Sequence, residues 1–151
     1  MSRRRRLTLL RNDGRDTEAD PSDVTAAVGD VTGDGRPDLY AAPVFGTGYV
    51  VSLRGRVTGT SRIGRLARFR IKRAARPVRE DDVEFLQSAP EATGAGDLDG
   101  DGIGDLLLNA PLADALNARR REPLAWLVWG RRSGTVALDR LGRHGVVVAR
   151  R

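Results

Sequence analysis

Apolar residues along this chain come in short runs, and glycine or proline interrupts nearly every interval between them. Residues 24–29, 38–42, 48–53 and 66–72 form one series of such runs, and 92–96, 105–109, 124–129 and 134–138 form a second. Each is too brief for a helix of ordinary length and of the right length for a strand. The stretch 112–126 departs from this pattern. Its Leu112, Leu116 and alanines allow one or two helical turns, expected as a surface insertion between strands. The pattern therefore predicts an all-β chain, with no run of about 18 apolar residues that would span a membrane.

Two of the runs are preceded by unusual turns. Residues 96–105, "GDLDGDGIGD", place Asp97, Asp99, Asp101 and Asp105 within one short loop that contains no Lys or Arg. Carboxylates crowded in this way repel one another unless a cation sits among them. Counting from Asp97, side-chain oxygens fall at positions 1, 3, 5 and 9, glycine at position 6 (Gly102) and a main-chain carbonyl at position 7 (Ile103). Hard oxygen ligands alternating around a glycine bend suit Ca²⁺. The segment "GDVTGDGRPD", residues 29–38, repeats the arrangement 67 residues earlier. Asp30, Thr32, Asp34 and Asp38 supply positions 1, 3, 5 and 9, and the Arg36 carbonyl position 7. Thr32 replaces a carboxylate, so the first loop carries less ligand charge. An EF-hand needs an acidic residue at position 12, where Ala41 and Leu108 stand here. Strand, metal loop, strand is the local expectation, occurring twice.

Asp-x-(Asp/Thr)-Gly-Asp-Gly-x-x-Asp-Leu, followed by an apolar run ending in Ala-Pro, resembles the FG-GAP repeat, the blade unit of integrin α-subunit-like β-propellers. "GYVVSLRG" (48–55) and "AWLVWGRRSGTVALDRL" (125–141) stand where that family has its next strand. The likeness covers most of residues 22–142, although neither loop is preceded by the Phe-Gly pair of the family name. It implies about two four-stranded antiparallel blades, a partial or truncated propeller, since a closed ring takes about 4 to 8 blades. Residues 22–79 would be the first blade and 80–142 the second. Residues 1–21 would form a poorly ordered basic and polar segment, and 143–151 the start of a further blade or a tail. The resemblance also implies a non-catalytic, Ca²⁺-binding module that presents a rigid surface to a protein or surface ligand. Relatives are usually extracellular or attached to the cell surface, although no signal peptide is visible at the arginine-rich start. Exposed blade edges offer a route to self-association. The alternative within this family is a propeller portion accompanying a phospholipase-like hydrolase domain.

Charge raises a third reading. The formal net charge of +6 and a pI near 11.0 fit an anionic partner, and ten of the 26 basic residues lie between Arg54 and Arg79. In "RLARFRIKRAAR", Arg68, Arg70 and Lys72 alternate with Phe69 and Ile71, which gives one strand face a basic stripe. Stacking aromatics are not interleaved with those cations, so a solvated strand face is favoured over nucleic-acid binding. The remaining chemistry is sparse. His144 is the sole histidine, and the absence of cysteine removes thiol catalysis, cysteine-zinc sites and disulfides together. Trp126 and Trp129 suggest packing between blades.

Overall fold

The computed structural model describes residues 8–11, 24–42, 47–52, 59–72, 90–109 and 123–149. The first unit contains β2 (Val24–Val28), β3 (Asp38–Ala42), β4 (Thr47–Val51), β5 (Gly59–Arg62), the one-turn helix α1 (Ile63–Leu66) and β6 (Ala67–Lys72). The second contains β7 (Glu91–Gly96), β8 (Asp105–Asn109), β9 (Pro123–Val128), β10 (Gly134–Ala137), two 3₁₀ turns (Leu138–Arg140 and Gly142–His144) and β11 (Gly145–Ala149). A further strand, β1 (Thr8–Arg11), lies within the N-terminal basic segment. Of the stretch 112–126, residues 112–122 fall outside the described residues, and 123–126 open the strand β9.

Each unit contains an antiparallel meander, in which strands pair with strands near them in the sequence. The orders are β2-β3-β4-β6 and β7-β8-β9-β11. The fold is thus all-β, with two separate main sheets beside a two-stranded β1–β5 pair, and neither main sheet is closed or curled in the manner of a propeller blade.

The fourth strand of the second sheet is β11, not the 134–138 run expected from the sequence. That run, β10, crosses to the first sheet and pairs in parallel with β6, Gly134 opposite Phe69 and Val136 opposite Ile71. The crossing makes a five-stranded first sheet, β10-β6-β4-β3-β2. The same device occurs at the N-terminal side, where β1 pairs in parallel with β5 from Thr8–Gly59 to Arg11–Arg62.

The main core lies between the two sheets. Alternation along the first sheet sends Tyr40, Val50, Phe69 and Ile71 to one face. They pack with Leu106, Leu108, Trp126 and Val128 of the second sheet, and with Val136, Leu138 and Leu141 beyond β9. The opposite face of the first sheet forms a smaller cluster of Ala41, Val51 and Ile63, with Leu39, Tyr49 and Leu66 partly buried against it. Trp126 is a core residue, consistent with its expected packing role, and Trp129 follows β9 half-buried. In the basic stripe, Phe69 and Ile71 are buried, and Arg68 and Lys72 are exposed. Arg70 is half-buried, and its Nη2 donates to the Gly64 carbonyl at 2.8 Å.

Candidate metal centre

Both aspartate loops connect the first and second strands of their sheets, residues 30–37 before β3 and 97–104 before β8. They bend in the same way. Gly33 and Gly35 have φ of 67° and 82°, and the corresponding Gly100 and Gly102 have 80° and 85°. Side chains with a Cβ adopt that left-handed region at a cost, so glycine at the fourth and sixth loop positions permits the turn.

The first carboxylate of each loop holds the bend together. Asp30 Oδ1 accepts from the Asp34 N–H at 2.9 Å and Oδ2 from the Gly35 N–H at 2.7 Å. Asp97 Oδ1 accepts from the Gly100 and Asp101 N–H groups at 2.8 and 3.1 Å, and Oδ2 from the Gly102 N–H at 2.9 Å. The last carboxylate ties the loop back onto its own strand. Asp38 Oδ2 accepts from the Val31 and Thr32 N–H groups at 2.9 and 2.8 Å, and Asp105 Oδ2 from the Leu98 N–H at 2.7 Å.

Elsewhere the loops differ. In the first, the Thr32 hydroxyl donates to Asp38 Oδ1 at 3.2 Å, and Asp34 accepts from the Arg36 N–H at 3.1 Å and from the Ser52 hydroxyl. Burial raises the Asp38 carboxyl above its ordinary pKa, hydrogen bonds from Thr32 and Val31 oppose that rise, and the Asp34 charge adds to it.

In the second loop, Asp97, Asp99 and Asp105 each offer one carboxylate oxygen, and these lie within 4.8 Å of one another. Among the described residues this is the one such grouping of His, Cys, Asp or Glu. Asp97 and Asp99 are exposed, and Asp105 is fully buried, with Oδ1 accepting from the Gly130 N–H at 2.9 Å. Partial desolvation raises the Asp99 carboxyl above its ordinary value, and the charges of Asp101, Asp105 and Asp97 raise it further against a hydrogen bond from the Asp101 N–H. Asp101 stands outside the trio, with Oδ1 accepting from the Ile103 N–H at 2.8 Å.

The donor set fits a hard divalent cation. Ligand oxygens at about 2.4 Å from a Ca²⁺ ion lie within about 5 Å of one another. The trio's 4.8 Å limit meets that condition, and the three carboxylates supply the negative charge.

The two loops also touch. The Gly104 N–H donates to the Asp30 carbonyl at 2.8 Å, and beside this contact the Arg131 N–H, from the turn after β9, donates to the Val31 carbonyl at 3.0 Å. A Cβ on Gly33 would meet Ile103 at 2.9 Å. Sequence spacing alone did not place the loops side by side.

The FG-GAP repeat model matches residues 89–122, which include the whole second loop. The match spans about 34 residues and leaves the first loop outside it. No curated protein and no solved structure matches the chain. No catalytic cluster is present among the described residues, and none of their helices is long and apolar enough to cross a membrane.

Proposed function

We propose that this chain is a non-catalytic recognition module of the FG-GAP, propeller-blade type, in which Ca²⁺ bound in the second loop holds the strand connection rigid. The observation that carries this reading is the convergence of Asp97, Asp99 and Asp105 inside the segment matched by the FG-GAP repeat. Bound there, the cation would supply positive charge that offsets carboxylate repulsion, so that binding free energy becomes folding free energy. Asp97 and Asp105 would hold it while also fixing the loop backbone. Asp99, whose Oδ1 accepts a single 3.2 Å bond from the Asp101 N–H, is the trio member least committed to the backbone. The Ile103 carbonyl and Asp101 are the remaining ligands expected from the loop's spacing. The first loop, with Asp30, Thr32, Asp34, Asp38 and the Arg36 carbonyl, would be the weaker site, because Thr32 already donates to Asp38. Such a module serves outside the cytosol, where calcium is plentiful, and recognises a protein or surface ligand through its sheet faces and loops.

Thermal unfolding in EDTA and in increasing Ca²⁺ tests the reading. A melting temperature that rises and saturates, with the rise abolished in Asp99→Asn and retained in Asp34→Asn, supports it. At a hundredfold excess over Kd the stabilisation would be about 2.7 kcal/mol. A folded chain that does not respond to calcium overturns it.

A further inference from the structure

The two units are related by more than their loops, and matching them position by position exposes an unfilled interface. Strand register sets the correspondence. Tyr40, Val50 and Phe69 form a rank across the first sheet, and Leu107, Leu127 and Val146 form the same rank across the second. In the first unit, Phe69 and Ile71 on β6 are 0% and 2% exposed, because the second unit packs on that face. Their counterparts on β11, Val146 and Val148, are 48% and 43% exposed. The loops show the same contrast. Val31 is fully buried at the seam, and Leu98, its equivalent in the second loop, is 60% exposed.

The edge of β11 tells the same story. The outer edge of β6 is covered by β10, whereas β11 pairs only with β9 among the described residues. Monomeric proteins seldom leave an apolar edge strand and its adjoining face uncovered together.

The complementary surface lies at the other end of the molecule. The second sheet meets the first through Leu106, Trp126 and Leu141. Their counterparts in the first unit are Leu39 and Tyr49, which are only partly buried, and Ile63, which is buried with them in the smaller cluster on that face. The strand that would pair with β11, by analogy with β10 on β6, is β5. Both β5 and β10 open with Gly-Thr and lead into a helical turn. At present β5 holds the four-residue β1 in the same parallel register.

We propose that the second unit of one copy receives the first unit of another, head to tail, with β11 pairing in parallel with β5 of the second copy in the place of β1. The association repeats the interface already formed between the two units within the chain. It is heterologous, so it builds a ring where the rotation closes and a filament where it does not. It goes beyond the metal reading and does not require the ion.

Sedimentation velocity over a hundredfold range of protein concentration, run in EDTA and in Ca²⁺, tests it. The wild-type chain is expected to associate reversibly. Val148→Asp and, separately, Leu98→Asn should each raise the apparent dissociation constant at least tenfold and leave the circular dichroism unchanged. Both positions are solvent-exposed, and the two lie on different elements, so a folding defect in one leaves the other informative. The double change Leu9→Pro with Leu10→Pro, which removes a donor from the β1–β5 ladder whichever of the two N–H groups faces β5, should strengthen association by about tenfold. A wild type that stays monomeric throughout, or aggregates that both surface variants leave unchanged, overturns the proposal. Association insensitive to the double proline change in β1 overturns the pairing with β5. Loss of the calcium response with association intact counts against the metal reading alone.

Discussion

Carboxylates in the second loop perform two kinds of task, and the division shows in their hydrogen bonds. Asp105 is buried, with one oxygen on the Leu98 N–H and the other on the Gly130 N–H. Asp99 is exposed and contributes little to the turn. Asp105→Asn turns an amide N–H toward one of those donors, and should lower stability by about 1–3 kcal/mol even in EDTA, read from urea midpoints. Asp99→Asn should change the EDTA midpoint little. Tyr40 poses a different residue-scale problem. Its hydroxyl is buried in the main core without a hydrogen-bond partner. Tyr40→Phe should therefore be neutral, or stabilising by up to about 1 kcal/mol. Burial also pushes the Tyr40 phenol well above its ordinary pKa of 10.0. The neutral phenol is then favoured in the folded state, and the unfolded chain alone ionises near pH 10. Stability is unaffected below that pH and falls as pH rises past it, by up to about 1.4 kcal/mol per unit. Urea midpoints between pH 8 and 11 should show this alkaline loss in the wild type, reduced in Tyr40→Phe.

Where elements meet, a few glycines decide whether the approach is possible. A Cβ on Gly130 would lie 2.1 Å from the Gly104 carbonyl oxygen and 2.6 Å from Ile103 Cγ2. The obstacle includes backbone, so the turn after β9 would have to move and release the Gly130 N–H from Asp105. Gly130→Ala should cost more than about 3 kcal/mol, visible as a large fall in the urea midpoint or loss of the folded state. A Cβ on Gly48 would meet the Tyr40 side chain, its hydroxyl oxygen at 2.7 Å and its ring at 2.8 Å, with no backbone atom in the way. Contacts of this kind mark the limit of what local sequence conveys. The strands β3 and β8 were legible residue for residue, because an aspartate loop opens each apolar run and fixes its start. The aspartate spacing likewise singled out the second loop, where Asp97, Asp99 and Asp105 come together. It did not reveal that backbone N–H groups occupy both oxygens of Asp97, or that Asp101 turns to the Ile103 N–H. Nor was β5 legible, since "GTSR" has no apolar alternation and becomes a strand by pairing with β1. The run at 134–138 read correctly as extended, but its parallel partner β6 lies more than 60 residues away and leaves no local mark. For the same reason the valines at 146–148 gave no sign that they complete the second sheet.

At the scale of the whole molecule, the decisive fact is that the main core belongs to neither sheet alone. Val28, Val31, Tyr40 and Phe69 from the first unit pack in one cluster with Leu106, Trp126 and Val136 from the second. The β6–β10 ladder and the hydrogen bonds from Gly104 to Asp30 and from Arg131 to Val31 cross the same boundary. A unit that separated from its neighbour would expose most of its buried apolar side chains, and the hydrophobic term dominates stability. The two units should therefore unfold together. The aromatic residues provide built-in reporters, because both tryptophans (Trp126 and Trp129) lie in the second unit and both tyrosines (Tyr40 and Tyr49) in the first. Tryptophan fluorescence and tyrosine near-ultraviolet absorbance should give coincident urea transitions. Val31→Ala removes two buried methyl groups from the first loop and should destabilise by about 2 kcal/mol. It should shift the tryptophan transition by the same amount as the tyrosine one, although Val31 is 95 residues before Trp126. If the tyrosine signal moved alone, the sheets would be independently stable, and the seam between them would be a contact rather than a core.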